Sequence, residues 1–248
     1  MQTLFRWTRC DGPARLGAIA YAAVVLGITA TSQAGTIPIP VSNPSFESPA
    51  LTDGNFTDGS GAIPGWTTSN LHAGVYNPTS ADYSNAGGQG TPNGGDGSQV
   101  GFIVIEDPPH PAIVSVSQTL STALADSTEY SLTIALGTRL DRSSAGYTVE
   151  LLAGSNVIAS ETNAITLLNG QLTDRTITYT SLANDPNAGQ PLGILITNTI
   201  STFIATTDFD NVRLTATAVP DVPEPAGVTL ALCGLAGVLA CRLRRRQR

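Results

Sequence analysis

Few side chains in this sequence could act as catalytic acids or bases. Imidazole bases are limited to two histidines, His72 and His110, of which the second is flanked by prolines in a stiff loop. Ser98 lacks the flanking glycines of a nucleophile elbow. Glu106 and Asp107 are adjacent in the chain, so their carboxyl groups cannot face each other across a glycosidic bond. The sequence therefore predicts no catalytic residue and a protein that is not an enzyme.

The common ion-binding and phosphate-binding motifs are also missing. The run Asp53–Gly59 looks like the start of a calcium loop, but its glycine comes one position late and Pro64 takes the place of the bidentate acid. No histidine pair has zinc-ligand spacing. The glycine-rich segments 87–90 and 94–97 lack the Lys-Ser/Thr of a phosphate loop and are predicted to be turns.

Three aromatic residues are candidates for ligand contact. Tyr76 and Tyr83 lie in polar segments that we predict to be loops, where a ring can meet a ligand. Trp66 follows Pro64-Gly65, a context that favours core packing, with an exposed sugar-stacking ring as the alternative.

Composition excludes several classes of partner. The chain has no lysine, and residues 35–221 carry four arginines against seventeen carboxylates, a net charge near −13. Such a surface repels phosphates, so nucleic acid binding is excluded. The cysteines, Cys10, Cys233 and Cys241, all lie near the chain ends, and the middle of the chain therefore forms no disulfide.

The pattern that must position these side chains is that of β-strands. Between residues 129 and 137, Tyr130, Leu132, Ile134 and Leu136 alternate with small or polar residues. Similar stretches occupy 98–105, 113–120, 146–153, 174–181, 193–199 and 208–217, separated by turn residues. Residues 35–110 are rich in Gly, Asn, Asp, Ser and Pro, which predicts a loop-heavy sheet edge, with disorder as the alternative. We predict one all-β sandwich domain over residues 35–219.

Four short motifs resemble a known architecture. They are Asn43-Pro44-Ser45-Phe46-Glu47, Pro64-Gly65-Trp66, Asp96-Gly97-Ser98-Gln99-Val100 and Asp208-Phe209-Asp210-Asn211-Val212. Across residues 41–217 the chain resembles the jelly-roll domains of the galactose-binding-like superfamily, which include many carbohydrate-binding modules. The resemblance implies that the first and last strands lie side by side and that Glu47 and Asp210 hold a structural calcium ion, with Asp208 in reserve. The alternative is a pair of solvated carboxylates at the sandwich edge.

The two ends of the chain predict export. Residues 1–34 combine arginines, an apolar run and Ser32-Gln33-Ala34, which is typical of a signal peptide cut after Ala34, with a retained anchor as the alternative. At the other end, Pro223-Glu224-Pro225 precedes the uncharged run 226–241 and an arginine cluster that includes Arg244, Arg245 and Arg246. As a helix this run would span about 24 Å, marginal for a bilayer core of about 30 Å.

The tail resembles the PEP-CTERM sorting signal, also called the ice-binding protein C-terminal domain. The resemblance implies that 220–248 is a sorting domain with a transmembrane helix and that exosortase removes it. A permanent single-pass anchor is the alternative.

These features predict an exported, non-enzymatic protein of the cell surface or exopolysaccharide matrix of a Gram-negative-type bacterium, with weak carbohydrate contacts. Its partners would be the Sec translocon, signal peptidase, exosortase and polysaccharide, with transient insertion in the inner membrane. A hydrolase of extracellular polysaccharide and a ligand-free structural surface-layer protein are the alternative functions.

Overall fold

The computed structural model describes residues 35–69, 72–83, 94–105, 113–200 and 204–220. The predicted signal helix in residues 1–34 and the predicted sorting signal and transmembrane helix after residue 220 lie outside the described residues. Among the described residues, no helix is long and apolar enough to cross a membrane.

The described part of the chain consists of strands joined by turns. In chain order they are β1 (Thr36–Ile39), β2 (Phe56–Asp58), β3 (Thr67–Thr68), β4 (Ala73–Tyr76), β5 (Val100–Ile105), β6 (Ser115–Ala123), β7 (Thr128–Thr138), β8 (Ser143–Ser144), β9 (Thr148–Ala153), β10 (Asn156–Thr162), β11 (Gln171–Thr180), β12 (Pro191–Thr197) and β13 (Ala205–Ala218). The seven stretches predicted from alternation correspond to β5, β6, β7, β9, β11, β12 and β13.

The strands form two sheets. The eight-stranded sheet has the order β11-β7-β13-β5-β4-β2, with β1 and β8 also paired to β13, and the five-stranded sheet has the order β10-β9-β12-β6-β3. As the jelly-roll resemblance implies, the first and last strands are neighbours, with Ile39 opposite Leu214 in an antiparallel pair. The prediction of an all-β, jelly-roll-like sandwich is confirmed.

The core lies between the sheets and contains the side chains that alternation assigned to the inner face. Tyr130, Leu132, Ile134 and Leu136 of β7 are all at most 1% exposed and pack with β9 and β12 residues such as Leu151. Burial of this continuous apolar layer stabilises a domain whose described residues include no cysteine.

A β-bulge in β13 sets which side chains face the core and which face outward. The register with β7 shifts between Asp210 and Arg213, and Asn211 within the bulge has φ +51°. Phe209 before the bulge and Val212 after it both face the core. Since neighbouring strand residues point to opposite faces, Asp208 and Asp210 lie on the outer face of the eight-stranded sheet.

The favoured core position of Trp66 is confirmed, and the predicted loop position of Tyr76 is corrected. Trp66 is only 5% exposed, its ring centroid lies 5.5 Å from that of Phe46, and its Nε1–H donates to the carbonyl of Ser42 at 2.9 Å. The ring is therefore core packing and offers no exposed platform for a sugar. Tyr76 lies in strand β4 and not in a loop, because the segment before residue 98 contains more sheet than its polar composition indicates.

Candidate active site

A second apolar cluster covers part of the outer face of the eight-stranded sheet. It contains Tyr76, Tyr83, Val100, Phe102, Val104, Ala135 and Leu172, separate from the core between the sheets. Strand β5 contributes Phe102 and Val104 to this cluster. Its side chains alternate, so Ile103 and Ile105 face the core while Phe102 and Val104 face outward. A shielded apolar surface outside the core is typical of a small-molecule site.

The carboxyl group of Asp208 lies in this cluster. Asp208 is the cross-strand partner of Phe102 and is 0% exposed. The hydroxyl of Tyr83, itself 2% exposed, donates a hydrogen bond of 2.5 Å to Asp208 Oδ2. Arg139 Nε lies 3.6 Å from the same oxygen. Asp208 Oδ1 is buried and has no hydrogen-bond partner in the described part of the chain.

Burial controls the protonation of this pair. Complete removal from water raises the pKa of Asp208 above its usual value, although the positive charge of Arg139 and the hydrogen bond from Tyr83 act in the opposite direction. Burial, together with the neighbouring Asp208 charge, also raises the pKa of Tyr83 well above 10. The Tyr83–Asp208 pair therefore holds its protons more tightly than the same groups in water.

A second tyrosine–aspartate pair shows that the hydrogen bond alone does not have this effect. Tyr179 donates to Asp185 Oδ2 at the same distance of 2.5 Å. Here the hydrogen bonds from Tyr179 and from the backbone N–H of Asn187 lower the pKa of Asp185. Among the described aspartates, only Asp208 combines a tyrosine hydrogen bond with a raised pKa, which marks it as the candidate proton donor.

Arg139 is held by aromatic rings and stays charged. Its guanidinium carbon lies 4.5 Å from the ring centroid of Tyr76 and 5.8 Å from that of Phe102. The Tyr76 hydroxyl donates to Asp82 Oδ2 at 2.8 Å, and burial with this hydrogen bond raises the pKa of Tyr76 to about 12. Burial would raise the pKa of Asp82, but hydrogen bonds from Thr79 and Tyr76 lower it overall. Asp82 is therefore a fixed negative charge near Arg139.

A cavity of about 110 Å³ opens beside this cluster. It is lined by Phe56, Asp58, Phe102, Val104, Arg139 and Arg142. Phe56 is 62% exposed, and its ring stands edge-on to that of Phe102 with the centroids 6.2 Å apart. The cavity thus combines aromatic and aliphatic walls with two arginines.

The other predicted site residues divide into two groups. Tyr76 and Tyr83, predicted as ligand contacts, come together with Asp208 around Arg139. Glu47 and Asp210, predicted as calcium ligands, both reach the segment 94–99, where Glu47 Oε1 accepts from the amides of Ser98 and Gln99 at 2.7 and 2.8 Å and Asp210 Oδ2 accepts from the amide of Asp96 at 2.6 Å. Asp208, the reserve calcium ligand, has Tyr83 and Arg139 as its neighbours instead.

No group of three or more His, Cys, Asp or Glu side chains placed to hold a metal ion occurs within the described ranges. His110, Glu106, Asp107 and the sorting-motif residues Pro223, Glu224, Pro225, Arg244, Arg245 and Arg246 lie outside the described residues.

The comparisons with known proteins decide the family. The sequence model of the HpiC1-like family, described as HpiC1 cyclase, matches residues 37–215. The chain belongs to the HpiC1-like cyclase family. Comparison with curated protein sequences gave no match.

Solved structures of cyclases from Fischerella sp. TAU are similar to this chain. The Stig cyclase Fisc, in complex with (3Z)-3-(1-methyl-2-pyrrolidinylidene)-3H-indole, is 29% identical with a TM-score of 0.65, and the match covers 75% of this chain and 100% of that one. A cyclase in complex with 4-(1H-indol-3-yl)butan-2-one is 30% identical with a TM-score of 0.63 and the same coverage.

Membership of this family corrects the predicted function. The predictions of a non-enzymatic protein, of PEP-CTERM family membership and of exosortase, translocon and polysaccharide as partners are wrong, because the match to cyclases extends over most of the sandwich domain. The polysaccharide hydrolase and the ligand-free surface-layer protein are not favoured either. The sequence contains few histidines and no carboxylate pair spaced for catalysis, and Asp208 was predicted to be a reserve calcium ligand and not an acid.

Arg139 and the catalytic potential of Asp208 were missed. The available signal was the alternation in Asp208-Phe209-Asp210, where an acidic residue stands next to an aromatic residue that faces the core. Whether Asp208 can act as an acid depends on its contacts with Tyr83 and Arg139, which are distant from it in the chain.

Proposed function

We propose that this protein is a cyclase that closes a ring in a small aromatic substrate by proton donation from Asp208. Family membership and the indole-containing ligands of the Fischerella cyclases support an aromatic substrate. The observation that carries the proposal is the fully buried carboxyl group of Asp208, hydrogen-bonded on one oxygen by Tyr83 and without a partner on the other in the described part of the chain.

The hydrogen bond from Tyr83 determines which oxygen carries the acidic proton. Oδ2 accepts the tyrosine O–H, so the proton of the neutral acid belongs on Oδ1. A carboxyl group whose pKa is raised by burial is protonated at a higher pH than a solvated one and can act as a general acid.

The reaction needs no reagent besides substrate and protein. Proton transfer from Asp208 Oδ1 generates a cation on the substrate, and an electron pair of the aromatic system forms the new ring bond. The ring then loses a proton, which returns to the Asp208 carboxylate, so the product is an isomer of the substrate. Arg139, 3.6 Å from Oδ2, stabilises the carboxylate that exists between the two proton transfers.

The apolar walls of the cavity suit this chemistry. Phe102 is the cross-strand partner of Asp208, and the ring of Phe56 stands edge-on to that of Phe102 in the cavity wall. Aromatic faces attract cations. Their burial by the substrate also excludes water that would trap the cation as an alcohol.

The test is conversion of indoles bearing an alkenyl side chain at C3 into products of equal mass and changed chromatographic retention. We expect Asp208→Asn to reduce the rate by at least about 100-fold, the lower range for loss of a general acid. Asp185→Asn is the matched control, since Asp185 also accepts a 2.5 Å hydrogen bond from a tyrosine. Equal rates for wild type and Asp208→Asn would refute the proposal.

We also propose that calcium binds between Glu47 and Asp210 as a structural ion. Asp210 is 0% exposed, and among the described residues no arginine pairs with it. Burial, together with the negative charges of Asp96 and Glu47, raises the pKa of Asp210 to about 8, although the amides of Asp96 and Asn211 oppose this. The carboxylates of Glu47 and Asp210 both accept hydrogen bonds from amides of segment 94–99, and carboxylate oxygens are the ligands that a hard cation prefers.

A further inference from the structure

The two arginines of the cavity are not fully satisfied by the protein. Arg139 Nε is buried and has no hydrogen-bond partner in the described part of the chain, and its 3.6 Å approach to Asp208 Oδ2 is too long for a hydrogen bond. Arg142 Nε is also buried without a hydrogen-bond partner in these residues. Its nearest acid is Asp141, with 3.4 Å between Arg142 Nε and Asp141 Oδ2.

Burial makes these unsatisfied groups costly. The side chain of Arg139 is 10% exposed and that of Arg142 is 24% exposed, whereas the side chain of Asp141 is 60% exposed and shared with solvent. A buried donor without an acceptor loses hydration without compensation. An anionic ligand with two oxygens would supply acceptors and charge to both guanidinium groups.

The rest of the cavity indicates what the anion is attached to. Phe56, Phe102 and Val104 form an apolar wall, and among the described residues of the lining Asp58 is the one acid. A free inorganic anion would gain nothing from the apolar wall. A carboxylate on an aromatic compound would place its charge on the arginines and its ring against Phe56 and Phe102.

We propose that Arg139 and Arg142 bind a carboxylate of the substrate, so that this cyclase acts on an aromatic acid. This inference rests on the proposed cyclase function and specifies its substrate class. Arg142 is the residue that determines the preference for an acid, because Arg139 also contacts Asp208. The carboxylate anchors the substrate, and its ring lies on the side of the cavity next to Asp208, the cross-strand partner of Phe102.

The test compares two indoles of the same shape that differ in charge. They are 3-(1H-indol-3-yl)propanoate and 4-(1H-indol-3-yl)butan-2-one, in which a methyl group replaces one carboxylate oxygen. Binding to the full chain is measured by isothermal titration calorimetry. We expect the acid to bind about tenfold more tightly than the ketone, as charge-assisted hydrogen bonds predict. Arg142→Gln should remove this preference and leave the affinity for the ketone unchanged.

Arg213→Gln is the matched control for charge. Arg213 pairs with Asp174 on the same sheet, its side chain is 47% exposed, and it does not line the cavity. It should retain the preference for the acid. Equal affinities of the two ligands in the wild type, no binding of the acid, or equal losses in Arg142→Gln and Arg213→Gln would each overturn the inference.

Failure of this inference can be distinguished from failure of the proposed function. Binding does not require turnover, so Asp208→Asn should retain the preference for the acid while losing ring closure. If the preference is absent in the wild type but Asp208→Asn still abolishes ring closure, the substrate class is wrong and the cyclase function stands.

Discussion

Removing the charge of Asp210 should change how the stability of the calcium-free protein depends on pH. Burial raises the pKa of Asp210 from 3.8 to about 8 in the folded protein. Between these values the folded state holds a proton that the unfolded chain has released. Stability from this group is therefore fully present below about pH 4 and is lost as the pH rises through about 8.

The size of this loss of stability follows from the difference between the pKa of Asp210 in the folded and in the unfolded protein. One pKa unit corresponds to about 1.36 kcal/mol, so between pH 5 and pH 8 Asp210 should remove about 4 kcal/mol of folding free energy. A loss of this size is a large part of the free energy of unfolding of a folded domain, which is typically about 5–15 kcal/mol. Bound calcium would replace the proton and stabilise the ionised carboxylate, so the loss should disappear when calcium is present.

The assay is urea denaturation at pH 5, 6, 7 and 8 with a chelator or with calcium. In chelator, the wild type should lose stability with rising pH about 4 kcal/mol more than Asp210→Asn, whose side chain has no proton to lose. Asp208 also contributes to the wild-type slope because its pKa is raised too, and the difference between the two proteins isolates Asp210.

Calcium should restore stability at pH 8 in the wild type but not in Asp210→Asn or Glu47→Gln. Identical pH slopes in wild type and Asp210→Asn would refute the electrostatic reasoning. A missing calcium effect in the wild type would refute the metal proposal separately.

Two further substitutions test the site and the core. Tyr83→Phe removes the hydrogen-bond donor to Asp208 and should slow ring closure by about tenfold or more. Because the lost hydrogen bond favours the ionised carboxylate, the alkaline limb of the pH–rate profile should move to higher pH. An unchanged profile would contradict the role of the Tyr83–Asp208 pair. Gly101→Ala should lower the free energy of unfolding by about 1–3 kcal/mol, since the new Cβ would lie 2.2 Å from the Phe209 ring. Gly35→Ala, with nothing within 4 Å, is the control, and equal denaturation midpoints for the two variants would show that the core adapts.

The fold was largely predictable because its main rule is local. Alternation placed Leu132 and Ile134 in the core and Ser131 outside it without any tertiary information. The prediction was weakest before residue 98, where Tyr76 was assigned to a loop. Its strand, β4, is four residues long and is stabilised by β5 and β2 on either side, and such short strands leave little periodicity to detect.

The site was much less predictable. Tyr83 and Asp208 are 125 positions apart in the chain, and Arg139 lies between them. Each residue alone is an ordinary polar side chain, and only their common burial on one sheet face shifts the pKa of Asp208. A search for histidines or for closely spaced acids could not find a site whose chemistry depends on one carboxyl group and its environment.

Alternation and turn residues determined the sandwich and its buried face, because strand periodicity is a property of the chain itself. The tertiary structure decided that Asp208 meets Tyr83 and Arg139 and that Tyr76 contacts Arg139. The reason is physical: the protonation and reactivity of a carboxyl group depend on the water and charges around it. In this protein those surroundings come from residues far apart in the sequence.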